Sequence, residues 1–341
     1  MNLSFKALLY ISFQFLSTSL FSQTVTLKHK TTFTEHKREV WEAQFSPDNS
    51  LIVSGGVDSV VKIWNREDGS LLHNLPHPYG TPSVIFSPNG KHVLTGCYDG
   101  KVRIWNVENG KLEKILLGLD KTIWSIAISP SGKYIAAGGE DKNLILWETK
   151  SGAMVRKFEK VDGTIWAVSF NPEETVIASS GRDELISVYN LSDGKRVLAL
   201  KGHTQAVLSL DFSPNGKLLA SAADDKYVKI WDANTGALLH NLKGKNQALH
   251  SVDFINDTHI FSAGTDKNII GEFFQYHFNY KGSKNEIGSI WDLSSEKVVF
   301  TLKDHLNDVN RCDVSSDRKW IVTASDDFTV KVWRLEGIDN N

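Results

Sequence analysis

The chain has 341 residues, a formal net charge of −2, 41% hydrophobic and 23% charged residues. That balance excludes a disordered chain, and the lack of a basic stripe able to neutralise phosphates makes nucleic acid an unexpected partner. Two cysteines, Cys97 and Cys312, are too few for a disulfide scaffold.

Residues 1–22 read MNLSFKALLYISFQFLSTSLFS. Lys6 precedes an apolar run from Ala7 to Phe21, and small residues sit near its end. This is the layout of a secretory signal peptide, with cleavage just before Gln23. Ser12, Gln14, Ser17, Thr18 and Ser19 interrupt the run, so no stable membrane span is expected, since that needs about 20 apolar residues. The alternative is an uncleaved interfacial anchor. Export would end in a periplasm, a lumen or the extracellular space. The sequons Asn190-Leu191-Ser192 and Asn256-Asp257-Thr258 matter only where a glycosylating pathway exists.

From about residue 24 the chain repeats one phrase seven times. Its closing aromatics are Trp64, Trp105, Trp147, Tyr189, Trp231, Trp291 and Trp333, spaced by 41, 42, 42, 42, 60 and 42 residues. A fixed period of this size marks a repeat architecture. Each copy holds four β-type segments, as in AVLSLDF (206–212), LLASAA (218–223), YVKIWD (227–232) and ALLHNL (237–242). SPNGK, DDK and ANTG between them supply the dihedrals of tight turns. One such unit buries too little surface alone, and radial stacking against its neighbours covers both faces.

The IWN, LWE, IWD and VWR endings, the Asp six residues before most closing aromatics, and the upstream His of KGHTQAV resemble the WD-repeat family of β-propellers. The resemblance covers roughly residues 24–335 and implies an all-β, seven-bladed β-propeller of four-stranded antiparallel blades. TVTLKHKTTFTEH (24–36) reads as a fourth strand before a repeat start, and the last copy stops after its third strand. The N-terminal strand therefore pairs in the last blade and closes the ring. The expected organisation is a signal peptide (1–22), a propeller (23–336) with an insertion at 269–287 in blade six, and a short tail (337–341). Cys97 and Cys312 fall in blades separated by blade one, which excludes a disulfide.

The same resemblance implies a buried bracing network in each blade. Four copies carry the full set: His36, Ser54, Asp58 and Trp64; His77, Thr95, Asp99 and Trp105; His203, Ser221, Asp225 and Trp231; His305, Thr323, Asp327 and Trp333. In copies three, four and six, Leu119, Val161 and Lys245 replace the His. Ala137 replaces the Ser of copy three, and Tyr189 the Trp of copy four. Blades three, four and six are expected to be softer, because an unsatisfied buried acceptor costs about 1–3 kcal/mol.

No phosphate loop, HExxH, GxSxG, metal-spaced Cys pair or calcium loop is present, so no catalytic residue, metal or cofactor is expected. Two features point to binding. In the insertion, Phe274, Tyr276, Phe278 and Tyr280 alternate with polar residues, which predicts a hairpin arm with one aromatic face. That face either meets a partner or packs on its own blade. The second feature is a set of rim positions near the start of each first strand: Trp41, Pro82, Trp124, Trp166, Leu208, His250 and Asn310. Three Trp there suggest an aromatic platform at the channel mouth. Val57, Tyr98, Glu140, Arg182, Asp224, Thr265 and Asp326 precede each turn Asp; the resemblance implies that they face the same rim and contact partners. The leading expectation is an exported, non-enzymatic scaffold, monomeric on its own, that binds a protein or peptide partner. The alternatives are an axial small-ligand or hydrolytic site using Glu140, Arg182, Asp224, His250 and Asp326, and a permanent module of an envelope assembly.

Overall fold

The computed structural model describes residues 24–159, 161–244, 248–265 and 287–338. Residues 1–22, expected to be a signal peptide, and the aromatic stretch 274–280 lie outside the described residues. A first strand, β1 (Thr26–Phe33), precedes the blades. Blade one is β2 (Val40–Phe45), β3 (Leu51–Gly56), β4 (Val60–Asn65) and β5 (Leu71–Pro76). Blade two is β6 (Ser83–Phe86), β7 (His92–Gly96), β8 (Val102–Asn106) and β9 (Leu112–Leu116). Blade three is β10 (Ile123–Ile128), β11 (Tyr134–Gly139), β12 (Ile145–Glu148) and β13 (Met154–Lys157). Blade four is β14 (Ile165–Phe170), β15 (Val176–Gly181), β16 (Ile186–Asn190) and β17 (Arg196–Leu200). Blade five is β18 (Val207–Phe212), β19 (Leu218–Ala223), β20 (Tyr227–Asp232) and β21 (Leu238–Lys243). Blade six is β22 (Ala248–Asn256), β23 (His259–Thr265), β24 (Gly288–Asp292) and β25 (Lys297–Leu302). Blade seven is β26 (Val309–Val314), β27 (Trp320–Ser325) and β28 (Val330–Glu336), completed by β1.

The expected closure is present. β1 runs antiparallel to β28, from Thr26 opposite Glu336 to Phe33 opposite Val330. One sheet thus holds both ends of the chain, and the ring has no unpaired seam.

Turn chemistry sets each hairpin. In the turn after β6, Ser87 Oγ donates to Asn89 Oδ1 (2.7 Å) and accepts from His92 N (3.0 Å). Gly90 then takes φ +69, the left-handed region that favours glycine. Ser213, Asn215 and Gly216 repeat the arrangement in blade five.

The core lies in the seams between blades. Blades two and three pack Leu94, Val102 and Ile104 against Ile123, Ile135 and Trp147. Blades seven and one pack Phe33, Val322, Val330 and Val332 against Val40, Ile52 and Trp64. Apolar residues on both faces of β3, β7 and their equivalents follow from this, because every central strand has a blade on each side.

The innermost strands are also laced together by side chains. Ser83, Ser125, Ser209 and Ser251 accept hydrogen bonds through Oγ from Ile126, Val168, Val252 and Cys312 N of the next blade, at 3.0–3.2 Å. Cys97 and Cys312 are free and buried.

Candidate functional site

Bracing sets link the turn Asp to the strands behind it in blades one, five and seven. In blade one, His36 Nδ1 meets Asp58 Oδ2 at 2.8 Å and Nε2 meets Ser54 Oγ at 2.7 Å. Trp64 Nε1 donates to the same Ser54 oxygen at 2.8 Å. With Nδ1 protonated, the chain runs Trp to Ser to His to Asp, each donor matched to an acceptor. Blades five and seven repeat it through His203, Ser221, Asp225 and Trp231, and through His305, Thr323, Asp327 and Trp333. Burial alone would raise the Asp58, Asp225 and Asp327 carboxyls, but the imidazoles hold all three below the usual range.

Blade two departs from the expected set. His77 keeps Thr95 at 2.9 Å, but its Nδ1 turns to Leu75 O at 2.9 Å. Asp99 instead receives both ends of the Arg103 guanidinium, at 2.6 and 3.1 Å. The physical reason is spacing. His77 follows Trp64 by 13 residues, whereas His203 follows Tyr189 by 14. Arg103, four residues after Asp99, supplies the missing donor. Burial lowers the His77 pKa to about 4, so this ring is neutral. In blade three, where Ala137 has no hydroxyl, Trp147 Nε1 donates to Leu117 O at 3.0 Å. In blade six, Trp291 Nε1 reaches Ser262 Oγ at 2.9 Å, while Lys245 and Asp266 lie outside the described residues.

The rim positions share a backbone feature. Trp41, Trp124, Trp166, Leu208, His250 and Asn310 are each the extra residue where the register between first and second strands shifts. A β-bulge leaves its extra residue outside the ladder and re-aims the side chain, so its type is free to vary. Pro82 falls just before β6, where no shift occurs. At Gly139, opposite one such bulge, an added Cβ would lie 1.9 Å from Thr122 O, so only glycine fits there.

Four of the sequence-predicted residues come together. Trp41 stacks on Trp124 with centroids 5.0 Å apart and planes at 17°. Trp166 packs against Trp124 with centroids 4.6 Å apart and planes at 42°. Tyr98 meets Trp41 at 6.1 Å and Trp124 at 5.7 Å, edge on. All four are half-buried. Offset and edge-to-face contacts are the favoured aromatic geometries. Trp124 Nε1 is buried without a hydrogen-bond partner. Arg182 stands exposed in the β15–β16 turn, beside a cavity of about 350 Å³ lined by Lys142, Asp162, Gly163, Thr164 and Asp183.

Beside this cluster the channel holds groups that sequence reasoning missed. Arg311 of blade seven crosses it and donates to Leu208 O (2.9 Å) and His250 O (2.7 Å), with Trp166 O at 3.4 Å. One guanidinium therefore ties the bulges of blades four, five and six. Further along the same strands stand Asp211, Asp253 and Asp313. Asp211 accepts from Phe254 N (2.7 Å), and Asp313 accepts from Phe45 N (2.8 Å) across the closing seam. Asp253 receives the Cys312 thiol at 2.9 Å. Burial pushes Asp211 and Asp313 up to about 7, and burial with its acidic neighbours raises Asp253 further above the carboxylate range. The signal available in the sequence was Asp at matching positions of copies five, six and seven.

The axial alternative names Glu140, Arg182, Asp224, His250 and Asp326. Asp326 is taken up by Asn310 Nδ2 at 2.6 Å, and burial and Arg311 hold His250 down at about 4. Among the described residues, no group of three or more His, Cys, Asp or Glu is arranged to hold a metal ion. Among them also, no helix is long and apolar enough to cross a membrane.

Seven four-stranded blades, three of them braced by a complete Trp–Ser/Thr–His–Asp chain, define a closed β-propeller of repeated sequence units. The WD40 family, described as WD domain, G-beta repeat, matches residues 27–65, 69–106, 110–148, 152–190, 194–232 and 296–334, and the chain belongs to it. Each match spans the outer strand of one blade and the three inner strands of the next. No curated protein matches the chain. Propellers of this family are typically scaffolds for protein interaction and commonly bind protein partners.

Proposed function

We propose that this protein is an exported, non-enzymatic scaffold that binds a protein or peptide partner on the rim carrying the bulges. The observation behind this is the convergence of Trp41, Tyr98, Trp124 and Trp166 from blades one to four into one half-buried aromatic cluster. Blade packing does not require these types, since Leu208, His250 and Asn310 occupy the same bulge elsewhere. Rigid aromatics at a rim are typical interface anchors.

Arg182 is a polar contact at its edge. The stretch carrying Phe274, Tyr276, Phe278 and Tyr280 follows Thr265 in sequence; its aromatic alternation makes it a second contact. The signal segment 1–22 supports export to a periplasm, a lumen or the extracellular space, and the chain is taken as a monomer.

Affinity capture from a native extract tests the reading, with the chain from Gln23 as bait. Beside it run Trp41→Ala/Trp166→Ala and a form with residues 270–286 replaced by a short Asn-Gly turn. A partner held by the parent chain and lost from the double variant supports the rim. Retention by both variants would overturn it.

A further inference from the structure

Blade seven exposes two large apolar residues where blades one and five carry polar ones. The residue after each turn Asp takes a left-handed backbone: Ser59 (φ 60), Gly100 (φ 74), Lys142 (φ 63), Glu184 (φ 63), Lys226 (φ 74) and Phe328 (φ 69). The residue after the bracing His donates its N–H to that Asp in each complete set, from Lys37 at 3.0 Å, Thr204 at 3.1 Å and Leu306 at 3.0 Å. At both positions the backbone role is constant and the side chain is free to vary. Blade seven fills them with Phe328, 42% exposed, and Leu306, 68% exposed, on either side of Asp327.

The fold does not call for either residue. A bulky side chain at positive φ is strained, and Ser59 and Lys226 serve the same turn in blades one and five. Strained residues and exposed apolar groups gather where partners bind. The surroundings are acidic. Asp304, Asp308, Asp326 and Asp327 lie in the two turns that carry Leu306 and Phe328, with Lys303 as their one Lys or Arg. Lys331 on the adjoining strand turns inward: its ammonium donates to Asp304 O, and its side chain is 12% exposed. Burial keeps His305 neutral, and burial alone would raise Asp327, but His305 holds that carboxyl below the usual range and charged.

We propose that Leu306 and Phe328 are a contact for a basic segment of a protein partner. An aliphatic or aromatic side chain of that segment packs on the two residues, and Lys or Arg beside it faces the carboxylates around them. Complementary charge of this kind selects the partner and makes binding salt-dependent. The β27–β28 turn follows Ser325, which pairs with Val309 beside the Asn310 bulge, so the contact lies on the bulge-bearing rim. The proposal rests on the reading of that rim as the partner surface and adds the partner's chemistry to it.

Phage display of short random peptides on the folded chain tests it, with the selected peptides then titrated by fluorescence polarisation against Phe328→Ser and Leu306→Lys. Blade one carries Ser59 and Lys37 at these positions, so both turns keep their geometry, and either variant serves if the other does not fold. The selected peptides should pair an aliphatic or aromatic residue with Lys or Arg, and each variant should weaken them by about tenfold or more. Raised salt should weaken them as well. Failure to select any peptide, acidic peptides, or equal binding to the parent chain and both variants would overturn the proposal. If those peptides are lost from Trp41→Ala/Trp166→Ala instead, the rim reading stands and this contact falls. A dimer of the parent chain that both variants lose, or peptides bound only after residues 270–286 are replaced by the Asn-Gly turn, would also overturn it, by assigning the patch to a second copy or to the chain itself.

Discussion

The indole of Trp41 in blade one lies 5.0 Å from that of Trp124 in blade three, with the two planes 17° apart. Blade two stands between them in the ring, so the stack forms because both residues are the extra residue of a β-bulge and leave their ladders. The stack reports how the rim works: bulges free the side chain from blade packing and present it at the channel mouth.

Arg311 is the stiffest test of the axial arrangement. Arg311→Met removes the donors to Leu208 O and His250 O and takes a cation away from Glu42 and Asp253. Leaving the Leu208 and His250 carbonyls without their donor costs about 1–3 kcal/mol. Urea unfolding should show that loss, and a change below about 1 kcal/mol would mean that the guanidinium does not hold the ring.

The buried acids predict an unusual pH dependence. Asp211 and Asp313 titrate at about 7 in the fold and near the ordinary carboxylate value of 3.8 when exposed. Between those values the folded chain holds protons that the unfolded chain has released. Stability from these groups is therefore full below about 4 and is lost as pH rises towards 7. Asp211→Asn/Asp313→Asn keeps the acceptor oxygens and should flatten this slope, by on the order of 4 kcal/mol per carboxyl at most. Denaturant midpoints measured from pH 4 to 8 check it. The bracing carboxylates Asp58, Asp225 and Asp327 act oppositely. Their stabilisation is present above pH 4 and fades only as pH falls through their lowered values.

Ser221 accepts from Trp231 and meets His203, and both partners are buried. Ser221→Ala orphans them and should cost about 1–3 kcal/mol. Thr95→Ala in blade two should cost no more, because Asp99 is already held by Arg103 rather than through His77. Paired denaturation curves decide the order.

Phe328 occupies the left-handed region at φ +69 in an exposed rim turn, where blade two has Gly100 at φ +74. A bulky residue is strained there. Phe328→Gly should leave stability unchanged or raise it by about 0.5–1 kcal/mol, the strain relief exceeding the entropy of glycine. A clear loss in denaturant midpoint would show that the Phe328 ring makes compensating contacts.

Much of the fold was legible because period, turn residues and closing aromatics are local signals. The closure of β1 on β28 followed from a missing fourth strand at one end and a spare strand at the other. The departures were legible only in part. The one-residue shortening before His77 was visible, but that Arg103 would capture Asp99 depends on three-dimensional reach. The bulges, the span of Arg311 and the meeting of Asp211, Asp253 and Asp313 bring together residues far apart in sequence, and no local pattern encodes such meetings. Three Trp at equivalent positions announced a cluster; their stacking order required the ring.

The central claim is that the bulge-bearing rim is the surface that meets the partner. A photo-crosslinking residue placed at Arg182, exposed on that rim, is compared with one at Asn89, exposed in the turn at the opposite end of blade two. The account predicts adducts with a common partner from position 182 and none from 89. Adducts from 89 alone would contradict it.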